Sequence, residues 1–139
     1  MRVGQAADRL QRSEKMFTKN FKIPRDQLKP VATGYGACLA TDHIVVDGKK
    51  VGFMHRDPPQ NPTDSGWRFF SGEETQTYID DPRNLAFYDV NTVANYDLAI
   101  IPHLAAPVGS AFVRISGTQR FKADKFAMPG KEKPAEQTP

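Results

Sequence analysis

Two contrasting segments meet within residues 57–70, which read DPPQNPTDSGWRFF. The first segment holds three prolines, which lack a backbone N–H and therefore suit neither a helix interior nor a central strand. Residues 57–66 are accordingly predicted to form a long, stiff, polar loop. Residues 67–70 alternate in the manner of a strand, whose side chains point to opposite faces in turn. The predicted faces carry Trp67 with Phe69, and Arg68 with Phe70.

The chain before this loop is predicted to supply further strands. Residues 36–41 form a short apolar run that is typical of a strand. The dipeptide Asp47-Gly48 then separates residues 43–46 from residues 49–56, and both runs contain β-branched residues. Because a type I′ turn needs positive φ at both central positions, Asp-Gly between such runs predicts a β-hairpin.

The chain after the aromatic strand is predicted to alternate between short helices and strands. Ser71 followed by Glu74 matches the capping-box spacing and predicts a helix that ends before Pro82. Asn91 is predicted to cap a helix running to about Tyr96, because its side chain accepts from the exposed amides of a first turn. The other predicted features are strands at residues 85–89 and 109–115 and a short turn capped by Asp97.

The order of these elements indicates the fold class. The connections between predicted strands are too short for regular βαβ units, which need a crossover of about a dozen or more residues. The prediction is an α+β fold: a mostly antiparallel sheet of about five strands, with short helices packed on one face. The compact domain is predicted to span residues 34–122, between an amphipathic helix with its connector (residues 1–33) and a disordered polar tail (residues 123–139).

Residues 5–21 are predicted to form the amphipathic helix, because apolar residues recur there at three-to-four spacing. We expect the apolar side of this helix to dock either on the domain itself or on a second copy of the chain. The second option makes residues 5–21 the predicted contact of a homo-oligomer. The apolar stripe consists of Ala6, Leu10, Phe17 and Phe21.

Charge is distributed unevenly along the chain, which has 19 basic and 16 acidic residues and a net charge of +3. Residues 1–29 hold eight basic and three acidic side chains, whereas residues 30–119 hold six and ten. A nucleic-acid-binding domain carries its basic residues on the folded face, so this mildly acidic domain argues against nucleic acid as a partner. The acidic balance suits a cationic protein partner, but it is also ordinary for a protein that only needs to stay soluble.

Several classes of chemistry find little support in the sequence. Cys38 is the single cysteine, so no internal disulfide forms, and its place within an apolar run predicts a buried structural residue. Ser65 lies beside Asp64, but no Gly-x-Ser-x-Gly elbow is present. The acidic residues between positions 57 and 81 match no EF-hand, and no His-Glu-x-x-His pattern occurs. We therefore predict no metal and no cofactor, and no membrane span either, because no apolar run approaches the roughly 18 residues that a spanning helix needs.

Residues 40–75, ATDHIVVDGKKVGFMHRDPPQNPTDSGWRFFSGEET, resemble a bacterial immunity protein 33-like family that was formerly a domain of unknown function. The resemblance covers about residues 37–115. It implies a cytoplasmic protein that binds a cognate toxin and blocks it without chemistry of its own. No catalytic residues are implied, so the resemblance predicts that the chain is not an enzyme.

The expected partner surface lies around the proline-rich loop and the aromatic strand. An inhibitor needs a surface that complements its target electrostatically, and acidic side chains on loops suit a toxin with a basic cleft. Trp67 has two interpretations, as a core anchor or as an interface residue, and Arg68 is expected to pair with Asp64, with Glu73 or with a carboxylate of the partner. The predicted partner-binding residues are Asp57, Asp64, Trp67, Arg68, Glu73 and Glu74.

A small enzyme or ligand-binding domain is the alternative function. Its pocket is expected near His55, Asp57, Trp67 and Arg68, which lie close together in sequence. A polar cleft there with a perturbed histidine favours this alternative. A filled core without a cleft favours the docking surface.

Overall fold

A computed structural model of the protein describes residues 19–124. Within them the chain forms one six-stranded sheet with three short α-helices and three 3₁₀ turns. The strands are β1 (Ala37–Thr41), β2 (Phe53–Arg56), β3 (Asp64–Phe70), β4 (Leu85–Asp89), β5 (Ala111–Arg114) and β6 (Phe121–Ala123). The helices are α1 (Asp42–Val45), α2 (Gln76–Asp80) and α3 (Val90–Tyr96), and the 3₁₀ turns span Arg25–Gln27, Pro82–Asn84 and Leu98–His103.

The sheet has the strand order β4-β1-β3-β2-β5-β6. β1 and β3 pair in parallel, and every other neighbouring pair is antiparallel. The predicted α+β class with a mostly antiparallel sheet is therefore confirmed, with six strands in place of about five. The additional strand is β6, whose three residues include only one buried side chain, Phe121. Such a short strand lacks the alternating run by which strands are recognised in a sequence.

One face of the sheet packs against the helices and forms the core. Strand parity places Trp67 and Phe69 on this face together with Met54, and all three side chains are fully buried. The helical layer contributes apolar residues from α1, from α3 and from the last 3₁₀ turn. Its fully buried residues are Ile44, Val45, Val90, Val93, Ala94 and Ile100.

The predicted hairpin at Asp47-Gly48 is wrong, because the chain before the dipeptide forms helix α1 and not a strand. Gly48 adopts a φ of +79°, and its N–H donates to the carbonyl of Ile44 (3.1 Å). The N–H of Lys49 donates to the carbonyl of His43 (2.9 Å). These bonds are typical of a helix that ends on a left-handed glycine. The dipeptide that favours a hairpin therefore serves here as a helix C-terminus.

The helix caps agree only in part with those predicted. α2 begins later than predicted, because the hydroxyl of Thr75, not that of Ser71, accepts from its first turn. α3 is capped by the carboxylate of Asp89, and Asn91 lies inside the helix. The cap predicted at Asp97 is confirmed, since its side chain begins the following 3₁₀ turn.

The described chain that precedes β1 (residues 19–36), which we call the connector, is fastened to α3 by two asparagines. The side-chain oxygen of Asn91 accepts from the amides of Val31 and Ala32 (both 2.7 Å). The side-chain oxygen of Asn95 accepts from the amide of Lys29 (2.8 Å). These two side chains hold the irregular connector against the folded body, although Asn91 was predicted to cap a helix.

Two predicted segments lie largely outside the described residues. The predicted helix over residues 5–21 reaches into the described chain only at residues 19–21, and these three residues are not helical. Residues 1–18 and 125–139 contain the rest of that helix and most of the predicted tail. A contact between two copies through residues 5–21 therefore stays a prediction.

Candidate functional site

The face of the sheet opposite α1 and α3, which we call the second face, carries a row of side chains from neighbouring strands. A basic side chain lies near the centre of this row, between apolar and aromatic groups. The pairing register aligns Phe87, Leu39, Arg68 and His55 in that order across β4, β1, β3 and β2.

Arg68 is the central charge of the second face, and only 3% of its surface is exposed. Its two terminal nitrogens donate to the two carboxylate oxygens of Asp64, at 3.0 and 2.8 Å, and its Nε lies 3.4 Å from a carboxylate oxygen of Asp57. A bidentate pair of this kind is among the strongest charge-assisted hydrogen bonds in proteins. The hydrogen bonds from Arg68 hold the pKa of Asp64 well below its usual range.

Asp64 also fixes the proline-rich loop that precedes β3. Its carboxylate accepts from the backbone amides of Gln60 (2.8 Å) and Gly66 (2.9 Å). One carboxylate thus binds the loop, the strand and the guanidinium of Arg68 together. Asp64 is one of the three partners predicted for Arg68, and the structure shows this pairing.

His55 lies beside Arg68 on the second face and is bonded to Asp57. Its Nδ1 is 2.9 Å from a carboxylate oxygen of Asp57, and its ring stacks on Phe70 with the ring centroids 5.6 Å apart. Burial lowers the pKa of His55, and the carboxylate of Asp57 opposes this effect only in part. The imidazole is therefore mainly neutral at pH 7.

Glu74 lies beyond the end of β3 that is opposite Asp64. The side chain of Glu74 is almost fully buried. Its carboxylate accepts from the hydroxyl of Thr41 (2.6 Å) and from the amides of Ser71 (2.8 Å) and Gly72 (2.9 Å). Burial by itself raises the pKa of Glu74, but these hydrogen bonds outweigh burial and lower the pKa.

The six residues predicted to bind a partner fall in three separate places. Asp57, Asp64 and Arg68 form one network on the second face, whereas Glu73 and Glu74 lie beyond the other end of β3. Trp67 is fully buried on the helix-covered face, where its indole N–H donates to the carbonyl of Leu104 (3.1 Å). Trp67 is therefore a core anchor. The most accessible side chains of the six are those of Asp57 (29% exposed) and Glu73 (66% exposed).

The alternative pocket near His55, Asp57, Trp67 and Arg68 is only partly assembled. His55, Asp57 and Arg68 lie together, but the indole of Trp67 packs into the core on the other face of the sheet. Two grooves on the described residues, of about 440 and 480 Å³, lie elsewhere and include none of these four side chains.

One cluster brings a serine, a histidine and a carboxylate together, at Ser71, His43 and Glu74. The hydroxyl of Ser71 is 2.7 Å from Nδ1 of His43, and a carboxylate oxygen of Glu74 is 3.6 Å from the same nitrogen. A catalytic relay needs the nucleophile and the carboxylate on opposite ring nitrogens, so this cluster does not match one. Cys38 is fully buried as predicted, and burial raises the pKa of its thiol, which keeps it protonated.

Metal-ligating side chains do not gather in the described part of the chain. Among residues 19–124, no three His, Cys, Asp or Glu side chains group closely enough to hold a metal ion. The neighbouring carboxylates of the second face, Asp57 and Asp64, both bind Arg68. Over the same range of residues, no helix has the length and apolar character to cross a bilayer.

A groove of about 440 Å³ lies between the connector, β4 and α3. Phe21 packs edge-on against Tyr88 in its wall, with the ring centroids 5.8 Å apart. The hydroxyl of Tyr88 is buried without a hydrogen-bond partner among the described residues, which is rare for a buried polar atom. Burial raises the pKa of Tyr88 to about 12. No sequence pattern indicated this groove, because its walls come from segments far apart in the chain.

The sequence that builds this fold matches the model of one protein family. The model of the immunity protein Imm33 domain matches residues 38–125, which is more than half of the chain. The chain belongs to the Imm33 domain family. No curated protein and no solved structure matches the chain.

The Imm33 match begins within β1 and extends past β6, so the sheet and the helices α1 to α3 fall within it. The connector precedes the match, although Phe21, Ile23 and Leu28 of the connector form one wall of the groove. The Imm33 domain of this chain is therefore completed by residues that lie before the family match.

Proposed function

We propose that this chain is a non-enzymatic, cytoplasmic immunity protein that neutralises a cognate bacterial toxin by binding it. The observation that carries the proposal is the Imm33 match, because an immunity protein domain accounts for most of the folded chain. A protein that acts by covering a surface of its toxin needs a rigid surface of its own more than a reactive centre.

The hydrogen bonds that occupy the buried polar side chains support a binding function over a catalytic one. Arg68 and Asp64 bind each other in a bidentate pair, and the carboxylate of Glu74 accepts three hydrogen bonds. Groups held in this way have few free lone pairs or donors for chemistry, but they fix the loop and both ends of β3 in one shape. A preformed surface loses little conformational entropy when it binds, which favours affinity.

Charge and exposure identify the part of the surface that we propose to contact the toxin. Asp57 and Glu73 keep accessible carboxylates, which suit basic groups of a partner. The carboxylate of Glu73 lies 3.0 Å from Nζ of Lys49, and exposed pairs of this kind contribute little, so Glu73 can exchange this partner. The buried residues of the predicted set are proposed to act from behind, by holding the loop and the strand ends. These are Asp64, Trp67, Arg68 and Glu74.

A titration tests binding against an enzymatic mode of action. The toxin is first identified by capturing the proteins that bind the tagged chain in its own cells, and its activity is then measured while the purified chain is added. A binding antagonist is expected to reduce activity in proportion to its amount and to abolish it near one equivalent. Complete inhibition at a small fraction of an equivalent would indicate turnover and contradict the proposal. The absence of inhibition at a large excess would contradict it as well.

Charge variants test the proposed surface. Asp57→Asn and Glu73→Lys are each expected to weaken toxin binding at least about tenfold, which corresponds to about 1.4 kcal/mol. Asp80→Lys is the matched control, because Asp80 is also an exposed carboxylate but lies on α2, outside the predicted set. Calorimetry with the purified toxin measures the affinities. If Asp57→Asn and Glu73→Lys bind as tightly as Asp80→Lys, the toxin contacts another part of the molecule.

A further inference from the structure

β4 is the outer strand on one side of the sheet, and its outer edge is open in the described structure. β4 pairs with β1 along its full length, from Leu85 to Asp89. Among residues 19–124, no other strand pairs with it. An open edge presents a row of backbone N–H and C=O groups that can pair with a further strand.

The hydrogen-bond register shows which residues of β4 face this edge. The N–H of Val90 donates to the carbonyl of Gly36 (2.9 Å), so Gly36 faces β4. Ala37 follows Gly36 and faces the opposite way, because its N–H donates to the carbonyl of Thr63 beside β3 (2.8 Å). In an antiparallel pair, residues alternate between facing the partner strand and facing away from it. The backbone groups that point to the open edge are therefore those of Leu85 and Phe87 and the N–H of Asp89, because the carbonyl of Asp89 begins α3 as its N-cap.

The sequence of β4 guards this edge only at its end, where Asp89 is charged and exposed. Edge strands are commonly blunted by lysine, by proline or by a charge that points inward, and the strand LAFYD contains neither lysine nor proline. Phe87 is 48% exposed, and the guanidinium of Arg68 lies 5.7 Å from its ring centroid. A large apolar side chain is thus held in place in contact with water, directly beside the open edge.

The groove lies against the end of the same strand, at Tyr88 and Asp89, on the helix-covered face. Tyr88 forms part of its wall, and the buried hydroxyl of Tyr88 is left without a partner in the described chain. Its lining includes one cation, Arg25, and one anion, Asp89, so its charge is balanced, and most of the other lining residues are apolar or aromatic. A pocket of this kind suits an apolar side chain.

We propose that β4 accepts an extended segment of the toxin as a seventh strand, with an apolar side chain of that segment seated in the groove. The inference rests on the proposed function and adds the way in which the partner is bound. Strand addition draws affinity from main-chain hydrogen bonds and specificity from pockets that take alternate side chains. The outward backbone of Leu85, Phe87 and Asp89 provides the first, and the groove beside Tyr88 provides the second.

A second copy of the chain fits this site less well than a foreign segment. If two β4 strands paired with each other, the side chains on the groove side would be Ala86 and Tyr88 of the other copy. The methyl group of Ala86 is far too small to fill about 440 Å³, and Tyr88 already forms a wall of its own groove. Self-pairing therefore brings no further large apolar side chain into the groove, whereas a segment of another protein can supply one.

Phe87→Pro and Phe87→Ala form a matched pair of variants that tests the edge. Both remove the aromatic ring, but only proline removes the outward N–H of residue 87, and an edge strand tolerates proline where the N–H faces solvent. With the toxin identified by capture on the chain, we expect the full-length Phe87→Pro chain to bind at least about tenfold more weakly than Phe87→Ala in calorimetry. Equal affinities would overturn the inference. Thermal unfolding of both variants checks that they fold alike.

Thr92→Trp tests the groove separately. Thr92 lies on α3 in the wall of the groove, and a tryptophan at this position occupies the space proposed for the side chain of the toxin. We expect an affinity loss of at least about tenfold, whereas Thr77→Trp on the exposed surface of α2 keeps the affinity. An affinity that Thr92→Trp leaves unchanged would show that the groove is not the side-chain pocket.

Failure of this inference can be told apart from failure of the proposed function. If the chain inhibits its toxin and Phe87→Pro inhibits equally well, the function is supported and strand addition is wrong. If the chain does not inhibit, a phage-displayed library of short random peptides tests the edge by itself. Selection of peptides whose binding Phe87→Pro abolishes supports strand addition at this edge, while the toxin as its occupant falls with the proposed function. Selection of none overturns both.

Two other occupants have outcomes of their own in these experiments. A dimer in solution that Phe87→Pro converts to a monomer would place a second copy on the edge. Peptide binding that appears only after deletion of residues 1–18 would place the chain's own N-terminus there. Either result overturns the assignment of the edge to the toxin. A monomer whose peptide binding is unchanged by the deletion supports it.

Discussion

Asp64 and Arg68 are four residues apart on β3, yet they bind each other through two hydrogen bonds. In a regular strand this spacing corresponds to about 13 Å. The strand is bulged between them, because Asp64 and Arg68 lie opposite Ala37 and Leu39, which are only two residues apart on β1. Gly66, with a φ of +93°, lies within this bulge. The bulge thus brings a carboxylate and a guanidinium of one strand into contact.

Removing one member of the ion pair is expected to destabilise the protein strongly, because the other charge is then buried without a partner. Arg68→Met leaves the buried carboxylate of Asp64 uncompensated and is expected to lower the free energy of unfolding by about 3–5 kcal/mol. The double variant Asp64→Asn/Arg68→Met removes both charges and is expected to recover a large part of that loss. Urea unfolding followed by circular dichroism measures both variants. A double variant that is less stable than Arg68→Met would contradict this account.

The bulge itself is expected to require glycine at residue 66. Gly66 and Gly109 have φ values of +93° and +99°, so alanine strains the backbone similarly at both positions, by about 1–2 kcal/mol. A Cβ at Gly66 would lie 2.1 Å from the carbonyl oxygen of Asp57, whereas a Cβ at Gly109 would meet open space. Gly66→Ala is therefore expected to be clearly less stable than Gly109→Ala in the same denaturation measurement. Equal losses would show that the close approach relaxes without cost.

Moderate acid is expected to destabilise the protein through His55, which is buried, and His103, which is half-buried. Burial lowers the folded-state pKa of His55 and of His103 below the unfolded value of about 6.5. The unfolded chain then binds protons first, so the free energy of unfolding falls as the pH drops through that value. Unfolding titrations between about pH 8 and about pH 5 measure this slope. The double variant His55→Gln/His103→Gln is expected to flatten it, and an unchanged slope would assign the acid sensitivity to other groups.

Trp67 is expected to report on the core. It is the single tryptophan of the chain and is fully buried, so its emission is expected to lie at short wavelength and to resist quenching by acrylamide. Both properties are expected to change together when the protein unfolds. Trp67→Ala is expected to lower the free energy of unfolding by about 3–5 kcal/mol. Strong quenching in the native protein would place the indole at the surface instead.

Features that depend on local chemistry were predictable from the sequence. The alternation of residues 67–70 predicted the two faces of β3, and the apolar run around Cys38 predicted a buried strand. The hairpin predicted at Asp47-Gly48 was wrong, because a glycine with positive φ is common both at the end of a helix and in a hairpin turn. The local pattern does not distinguish a helix end from a hairpin turn. The helix is favoured by tertiary packing, because it buries Ile44 and Val45 in the core.

The candidate site was predictable in its composition more than in its geometry. Asp57, Asp64 and Arg68 were named together, but their contact depends on a bulge that leaves no periodic signal. The groove escaped prediction because Phe21 and Tyr88 meet only after the connector folds back on β4. Periodicity describes one element at a time, whereas both features arise where elements meet.

The hydroxyl of Tyr96 determines where a recombinant fragment of this chain can begin. It accepts from the amide of Ile23 (2.9 Å) and donates to the carbonyl of Val45 (2.9 Å), so one phenol clamps the connector to two helices. A recombinant fragment trimmed to start at Cys38, where the family match begins, would lose that clamp and one side of the groove. Fragments that begin no later than Lys19 keep both, and a negative binding result from a shorter one would reflect the missing wall.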